Sequence, residues 1–153
     1  MPRREDGLSP MHPGTAPLIV HATTVAVEGR AVLIRGASGS GKSALALQLL
    51  ALGAELVADD RTVLTRDADQ VIADTPDAIH GLIEARGVGI LRCPVTGLMP
   101  LALVVDMDHQ EAKRLPNWHQ ENVLDVALPV LRNPGVAHFP AAILLYLKHG
   151  RYR

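Results

Sequence analysis

Gly36-Ala37-Ser38-Gly39-Ser40-Gly41-Lys42-Ser43 is a complete G-x-x-x-x-G-K-[ST] run, and its surroundings decide how the chain is read. The apolar run Ala31-Val32-Leu33-Ile34 precedes it, and a helix-forming stretch from Ala44 to Leu50 follows. A strand, a glycine-rich loop and a helix start, in that order, make a phosphate-binding loop. The glycines let the backbone curl until its N–H groups face one anion, and the helix dipole adds positive potential there. Lys42 can reach the β- and γ-phosphates of a nucleotide, and Ser43 can hold Mg²⁺. A ligand-free strand-to-helix turn would explain the glycines but not the Lys42-Ser43 pair.

Composition narrows the class further. A chain of 153 residues suits one domain with one core. It is 48% hydrophobic but only 3% aromatic, so that core must be aliphatic. A formal net charge of −1 argues against bulk electrostatic binding to nucleic acid or to an anionic membrane. The single Cys93 gives no intrachain disulfide and fits a reducing compartment. No apolar run approaches the roughly 20 residues that span a bilayer. Arg3 and Arg4 are not followed by the apolar stretch of a signal peptide. The expectation is a cytoplasmic protein that binds neither nucleic acid nor membrane.

Along the chain, residues 1–16 carry Pro, Gly and charge without a period and read as a flexible arm. Residues 17–153 are left as a single domain. Leu18 to Val27 reads as one or two strands around His21, and Glu28-Gly29-Arg30 as a tight turn into strand 31–35. The helix after the loop should end near Leu52, with Gly53 as its cap. Glu55 to Ala58 reads as a short strand, and 62–65 with 70–73 as a hairpin. Ile79 to Ile90 is broken by glycines. Leu101 to Val105 is a buried strand, 107–119 a mobile polar loop, Val123–Leu128 another strand, and Pro140–Lys148 a terminal helix. So many short strands with so few helices do not suit a doubly wound domain. The expected class is α/β with a β-rich P-loop core.

Three further features surround the loop. Asp59-Asp60 closes the strand after the P-loop helix. Neighbours at a strand end point to opposite sides, so one carboxylate can face an attacking hydroxyl and the other Mg²⁺; a solvated turn is the plainer alternative. His21, on the preceding strand, can orient a carboxylate and tune its proton affinity, or be merely structural. Glu84 and Arg86, in Leu82-Ile83-Glu84-Ala85-Arg86-Gly87-Val88-Gly89-Ile90, are costly to bury unless paired or ligating. Glu84 is therefore a candidate metal ligand and Arg86 a candidate phosphate-facing cation, with a structural Glu–Arg pair as the alternative. A rival metal carboxylate also exists: Leu101-Ala102-Leu103-Val104-Val105-Asp106 is an apolar strand ending in Asp, as in many P-loop NTPases.

Taken in order, these pieces resemble the catalytic domain of bacterial HPr kinase/phosphorylase, over about residues 19–128. They are His21 fifteen residues before Gly36, the loop 36–43, Leu56-Val57-Ala58-Asp59-Asp60, and the glycine-broken segment 82–90. The resemblance implies a β-rich P-loop kinase core related to phosphoenolpyruvate carboxykinase, usually a hexamer. It implies an enzyme that uses ATP and Mg²⁺ to phosphorylate a serine of the phosphocarrier HPr. In reverse, inorganic phosphate attacks phosphoserine and releases pyrophosphate. Carried onto this chain, Asp59 would be the base, with His21 hydrogen-bonded to it. Lys42 and the loop 36–43 would hold phosphate, and Ser43, Asp60 and Glu84 would surround Mg²⁺. Arg86 would lie near phosphate, and Arg114 would match an arginine of the catalytic loop. The chain departs from the family pattern in two places. It offers no room for the usual N-terminal regulatory domain, as in short alphaproteobacterial forms. Asn133-Pro134-Gly135-Val136 replaces a Pro-Gly-Arg-Asn-like segment before the terminal helix. A general small-molecule P-loop kinase using Asp106 and a nucleotide sensor that transfers nothing are the competing functions.

Overall fold

The computed structural model describes residues 16–76 and 81–153. The proposed arm, apart from Ala16, and Ile79 lie outside the described residues. β1 (Leu18–Val20) and β2 (Ala22–Val27) are separated at His21. β2 turns into β3 (Arg30–Arg35) through Glu28-Gly29, both left-handed at φ 51° and 77°. Two left-handed residues match the right-handed twist of the flanking strands, and this sets the β2–β3 register. The glycine-rich loop then leads into α1 (Lys42–Ala51). After it come β4 (Glu55–Ala58), the hairpin β5 (Thr62–Asp67) and β6 (Gln70–Asp74), and the small ribbon β7 (Leu82–Ala85) and β8 (Gly89–Arg92). β9 (Met99–Gln110), β10 (His119–Val123), β11 (Val126–Asn133) and α2 (Phe139–His149) complete the described chain.

One mixed sheet runs β1-β5-β6-β9-β3-β2-β4. β9 is long enough that its second edge is divided: Met99 and Pro100 pair with β6, and Val104 to Asp106, then Gln110 after a register shift, pair with β11. β2 is antiparallel to both β3 and β4, while β9 is parallel to β3. The C-terminal ends of β3, β4 and β9 therefore meet at one end of the sheet, together with the start of β2. The glycine-rich loop and Asp59-Asp60 both emerge there.

Side-chain alternation gives the sheet two buried faces. Val32 and Ile34 of β3 point to one side, with Leu103 and Val105 of β9. There they meet Leu45 and Leu49 of α1 and Phe139, Ile143 and Leu147 of α2. Ala31 and Leu33 point to the other side, where Leu64 of β5, Val71 of β6 and Leu128 and Val130 of β11 close over them. The core is aliphatic, as the composition requires; Phe139 is its one aromatic.

The sequence reading places most elements correctly and errs where polar residues lie in strands. The segment 107–119 is not one loop: β9 continues to Gln110, β10 begins at His119, and only 111–118 is irregular. Sheet pairing at its rim accepts polar side chains because their outer faces meet solvent. Val123–Leu128 is likewise not one strand. Leu124 and Asp125 are left-handed, at φ 49° and 65°, and form the two-residue turn of a hairpin.

Ile143 of helix α2 is fully buried in the core that α2 shares with α1 and β3. Ile143→Ala should leave a cavity there and cost about 2–5 kcal/mol. Urea unfolding followed by far-UV circular dichroism measures it; a loss below about 1 kcal/mol would mean that α2 is not part of this core.

Candidate active site

The loop between β3 and α1 is built for an anion. Gly36, Gly39 and Gly41 take φ values of 152°, 84° and 100°, which a Cβ would strain. Gly36 also has no room: an added Cβ would lie 2.6 Å from Ser40 Oγ and 3.1 Å from Met107 Cβ. Helix α1 begins after Gly41 with no side-chain cap and no acidic residue in its first turn. Its leading N–H groups are thus not spent on a carboxylate. Ser40 Oγ is buried without a hydrogen-bond partner. Lys42 is almost fully buried and donates from Nζ to the carbonyl oxygen of Gly36 at 2.5 Å. An ammonium parked on a backbone carbonyl is ready to transfer to a phosphate.

A cleft of about 840 Å³ opens over this loop. It is lined by Ala37, Ser38, Gly39, Gly41, Lys42 and Ser43 of the loop, by His21, Thr23, Asp59 and Asp60, and by Glu84 and Arg86 of the β7–β8 ribbon. The two aspartates part as expected. Asp60 adopts a left-handed conformation, φ 67°, at the end of β4. Aspartate tolerates this better than most residues, and such conformations concentrate at functional sites. The Asp60 carboxylate is exposed, and its Oδ1 stands 2.6 Å from His21 Nε2. Asp59 turns inward, where Thr23 Oγ1 donates to its Oδ1 at 3.1 Å. Histidine 21 therefore pairs with Asp60, and not with Asp59 as the resemblance implies. The φ of Asp60 brings its carboxylate to the imidazole, while Thr23 takes the place beside Asp59.

Thr23 was not legible as a functional residue. A threonine in a β-branched strand reads as a strand former. Fully buried, it also accepts a long hydrogen bond from the Asp60 amide at 3.3 Å, so one hydroxyl ties both aspartates to β2.

Burial raises the proton affinity of Asp59 above the ordinary carboxylate range. The neighbouring charges of Asp60 and Glu84 push the same way, while hydrogen bonds from Thr23 and from the Asp60 amide pull back. The raised affinity suits a base that must take up and return a proton. Burial, and then the charge of Asp59, also pushes the Cys93 thiol up.

Glu84 and Arg86 are exposed at the cleft, so neither carries the burial cost that singled them out in the sequence. Ser43, Asp60 and Glu84 all line the cleft, but no three His, Cys, Asp or Glu side chains form a ready-made metal cage among the described residues. That pattern fits Mg²⁺, which keeps water and takes one or two carboxylates plus substrate phosphates. Arg114 is elsewhere. It lines a second cavity of about 470 Å³ between segment 111–118, β11 and α2, with Glu111, Arg132 and Tyr146.

Asp106, the rival metal carboxylate, does not line the cleft. Its Oδ1 accepts the Asp108 amide at 2.9 Å. Its Oδ2 lies 2.7 Å from His109 Nδ1 and 3.6 Å from Arg35 Nη2. Although burial works the other way, these partners hold the Asp106 carboxyl below its usual range. Both oxygens are occupied by the protein's own groups.

The sequence matches the family described as HPr Serine kinase C-terminal domain over residues 15–131, most of the chain. The chain belongs to the HPr serine kinase family. It is 36% identical over 139 residues to an HPr kinase/phosphorylase of Geobacillus thermodenitrificans, covering 82% of this chain and 44% of that protein. An HPr kinase/phosphorylase of Enterococcus faecalis is 41% identical over 100 residues, 60% of this chain and 32% of its own length. The chain thus spans less than half the length of these relatives. The solved structure of the Hpr(Ser) kinase/phosphatase from Coxiella burnetii superposes with a TM-score of 0.70 at 25% identity, covering 86% of this chain and 94% of that one. This likeness agrees with the β-rich P-loop kinase core expected from the sequence.

The raised proton affinity of Asp59 carries a stability consequence. A carboxyl raised in the folded state favours folding while protonated; that contribution is present below the unfolded pKa of about 3.9 and is lost as pH rises through the folded value. Asp59→Asn cannot ionise. Its melting temperature should exceed that of the wild type at neutral pH, and the advantage should vanish in acid. Thermal unfolding across pH tests this; an advantage independent of pH would contradict it.

Proposed function

We propose that this chain is an ATP- and Mg²⁺-dependent serine kinase acting on an HPr-like phosphocarrier protein, able to run the reverse phosphorolysis as well. The carrying observation is one cleft that holds an anion-shaped loop and, at its rim, a carboxylate of raised proton affinity held by Thr23. Family membership supplies the substrate class. In this reading Asp59 takes the proton from the serine hydroxyl as its oxygen attacks the γ-phosphorus, and the bond to the β–γ bridging oxygen breaks to release ADP. In reverse, an oxygen of inorganic phosphate attacks the phosphoserine phosphorus, the bond to the serine oxygen breaks, Asp59 returns the proton to that oxygen, and the pyrophosphate so formed is released. Lys42 moves from the Gly36 carbonyl to the β-phosphate, or to inorganic phosphate in the reverse direction. The loop amides of 36–43 other than that of Ala37, which Asp108 engages, hold the phosphates in line, and Arg86 offsets their charge.

Mg²⁺ bound among Ser43, Asp60 and Glu84 would neutralise charge on the β- and γ-phosphates. His21, bonded to Asp60, keeps that carboxylate aimed along the cleft. Arg114 enters this reading through an assembly, hexameric in the family pattern, or a loop arrangement that brings segment 111–118 to a cleft. Activity in the cytoplasm, away from nucleic acid and membrane, fits the near-neutral charge and the absence of any helix long and apolar enough to cross a membrane among the described residues. The rival kinase built on Asp106 is disfavoured by that residue's filled oxygens.

Incubation with Mg²⁺–ATP and purified HPr-like proteins should add one phosphate to a serine, read by intact mass. Asp59→Asn should lower the rate by about 10²–10⁴-fold, with nucleotide binding retained. Binding of ATP without transfer to any HPr-like protein would support a sensor instead. Loss of activity in Asp106→Asn but not in Asp59→Asn would overturn the assignment of the base.

A further inference from the structure

β9 grips the glycine-rich loop at several points. Arg35, the last residue of β3, lies across from Asp106 in the parallel ladder, and the two side chains approach to 3.6 Å. Met107 fills the space that two glycines leave open: its Cβ would lie 3.1 Å from a Cβ on Gly36, and its Cε 3.4 Å from one on Gly41. Asp108 Oδ1 accepts the Ala37 N–H at 2.8 Å. Asp108 is itself held, because its amide donates to Asp106 Oδ1 and Asp106 Oδ2 is engaged by His109.

A loop with three glycines in eight residues loses much conformational freedom on adopting one shape. Any contact that fixes the shape beforehand removes part of that cost from ligand binding. A hydrogen bond from a backbone amide to a carboxylate is among the stronger ones available. Its drawback is a negative charge close to a site meant for phosphate. The acceptor oxygen and the charge therefore act in opposite directions, and substitutions separate them.

We propose that Asp108 is a positioning residue of the phosphate loop, fixing the first turn through the Ala37 amide in the shape that receives a nucleotide phosphate. Asp108 touches no reacting atom; it acts through the loop. The role rests on the reading of the cleft as a nucleotide site, but the brace itself can be tested without nucleotide. Asp108→Asn keeps an acceptor oxygen and removes the charge, and Asp108→Ala removes both.

Amide hydrogen exchange by NMR on the unliganded full chain comes first. Ala37 should be protected in the wild type and in Asp108→Asn, and should lose that protection in Asp108→Ala. Calorimetric titration with Mg²⁺–ATP and with pyrophosphate comes second. Asp108→Ala should bind about tenfold more weakly, and Asp108→Asn at least as tightly as the wild type. Unchanged Ala37 exchange in Asp108→Ala, or equal weakening of both variants, overturns the proposal. A wild-type chain that binds no nucleotide overturns the nucleotide reading, while the exchange pattern still decides whether Asp108 holds the loop.

Discussion

The direction in which four neighbouring strands run is the constraint on which the site depends. β3, β4 and β9 point the same way and β2 runs against them, so three strand ends and one strand start coincide at one end of the sheet. The phosphate loop leaves β3 there, Asp59-Asp60 leaves β4 there, and Thr23 enters on β2. Residues that are 36 apart in sequence, Thr23 and Asp59, are thereby brought within hydrogen-bond distance. Both faces of the sheet are packed with aliphatic side chains, which keeps these strand ends fixed relative to one another.

On that frame the site separates two kinds of electrostatic work. The loop supplies positive potential from Lys42, from a helix start with no carboxylate cap, and from its backbone amides other than that of Ala37, which Asp108 engages. The two aspartates supply negative charge in different surroundings. Asp60 is exposed beside His21, where the proposed reading has it face a metal. Asp59 is held by Thr23 with its proton affinity raised, which the proposed reading uses to exchange a proton. Environment, not residue type, gives two adjacent carboxylates different tasks.

How much of this could be read from the chain depends on how local each feature is. The loop 36–43 was legible because its chemistry lies in eight consecutive residues and its flanks announce a strand and a helix. Asp59-Asp60 was legible as a strand end, and segment 82–90 through its glycines. The partner of His21 was not, because it follows from the left-handed turn at Asp60. Glu84 and Arg86 drew attention for a burial cost that they do not bear. Asp106 ends an apolar run but is surrounded by its chain neighbours His109 and the Asp108 amide and by Arg35, which the β3–β9 register brings beside it. β10 and the end of β9 are polar strands whose pairing is settled by neighbours rather than by propensity. Arg114 belongs to a cavity made by parts of the chain far apart in sequence.

The account centres on one claim: the glycine-rich loop receives the nucleotide's terminal phosphates with Asp59 at their open side. A crystal structure with Mg²⁺ and a non-hydrolysable ATP analogue tests this most directly. The account predicts phosphates seated in the loop 36–43, Lys42 released from the Gly36 carbonyl onto a phosphate oxygen, and the terminal phosphate facing Asp59. Phosphates seated instead in the cavity beside Arg114 and Arg132, with Lys42 still bonded to Gly36, would contradict it.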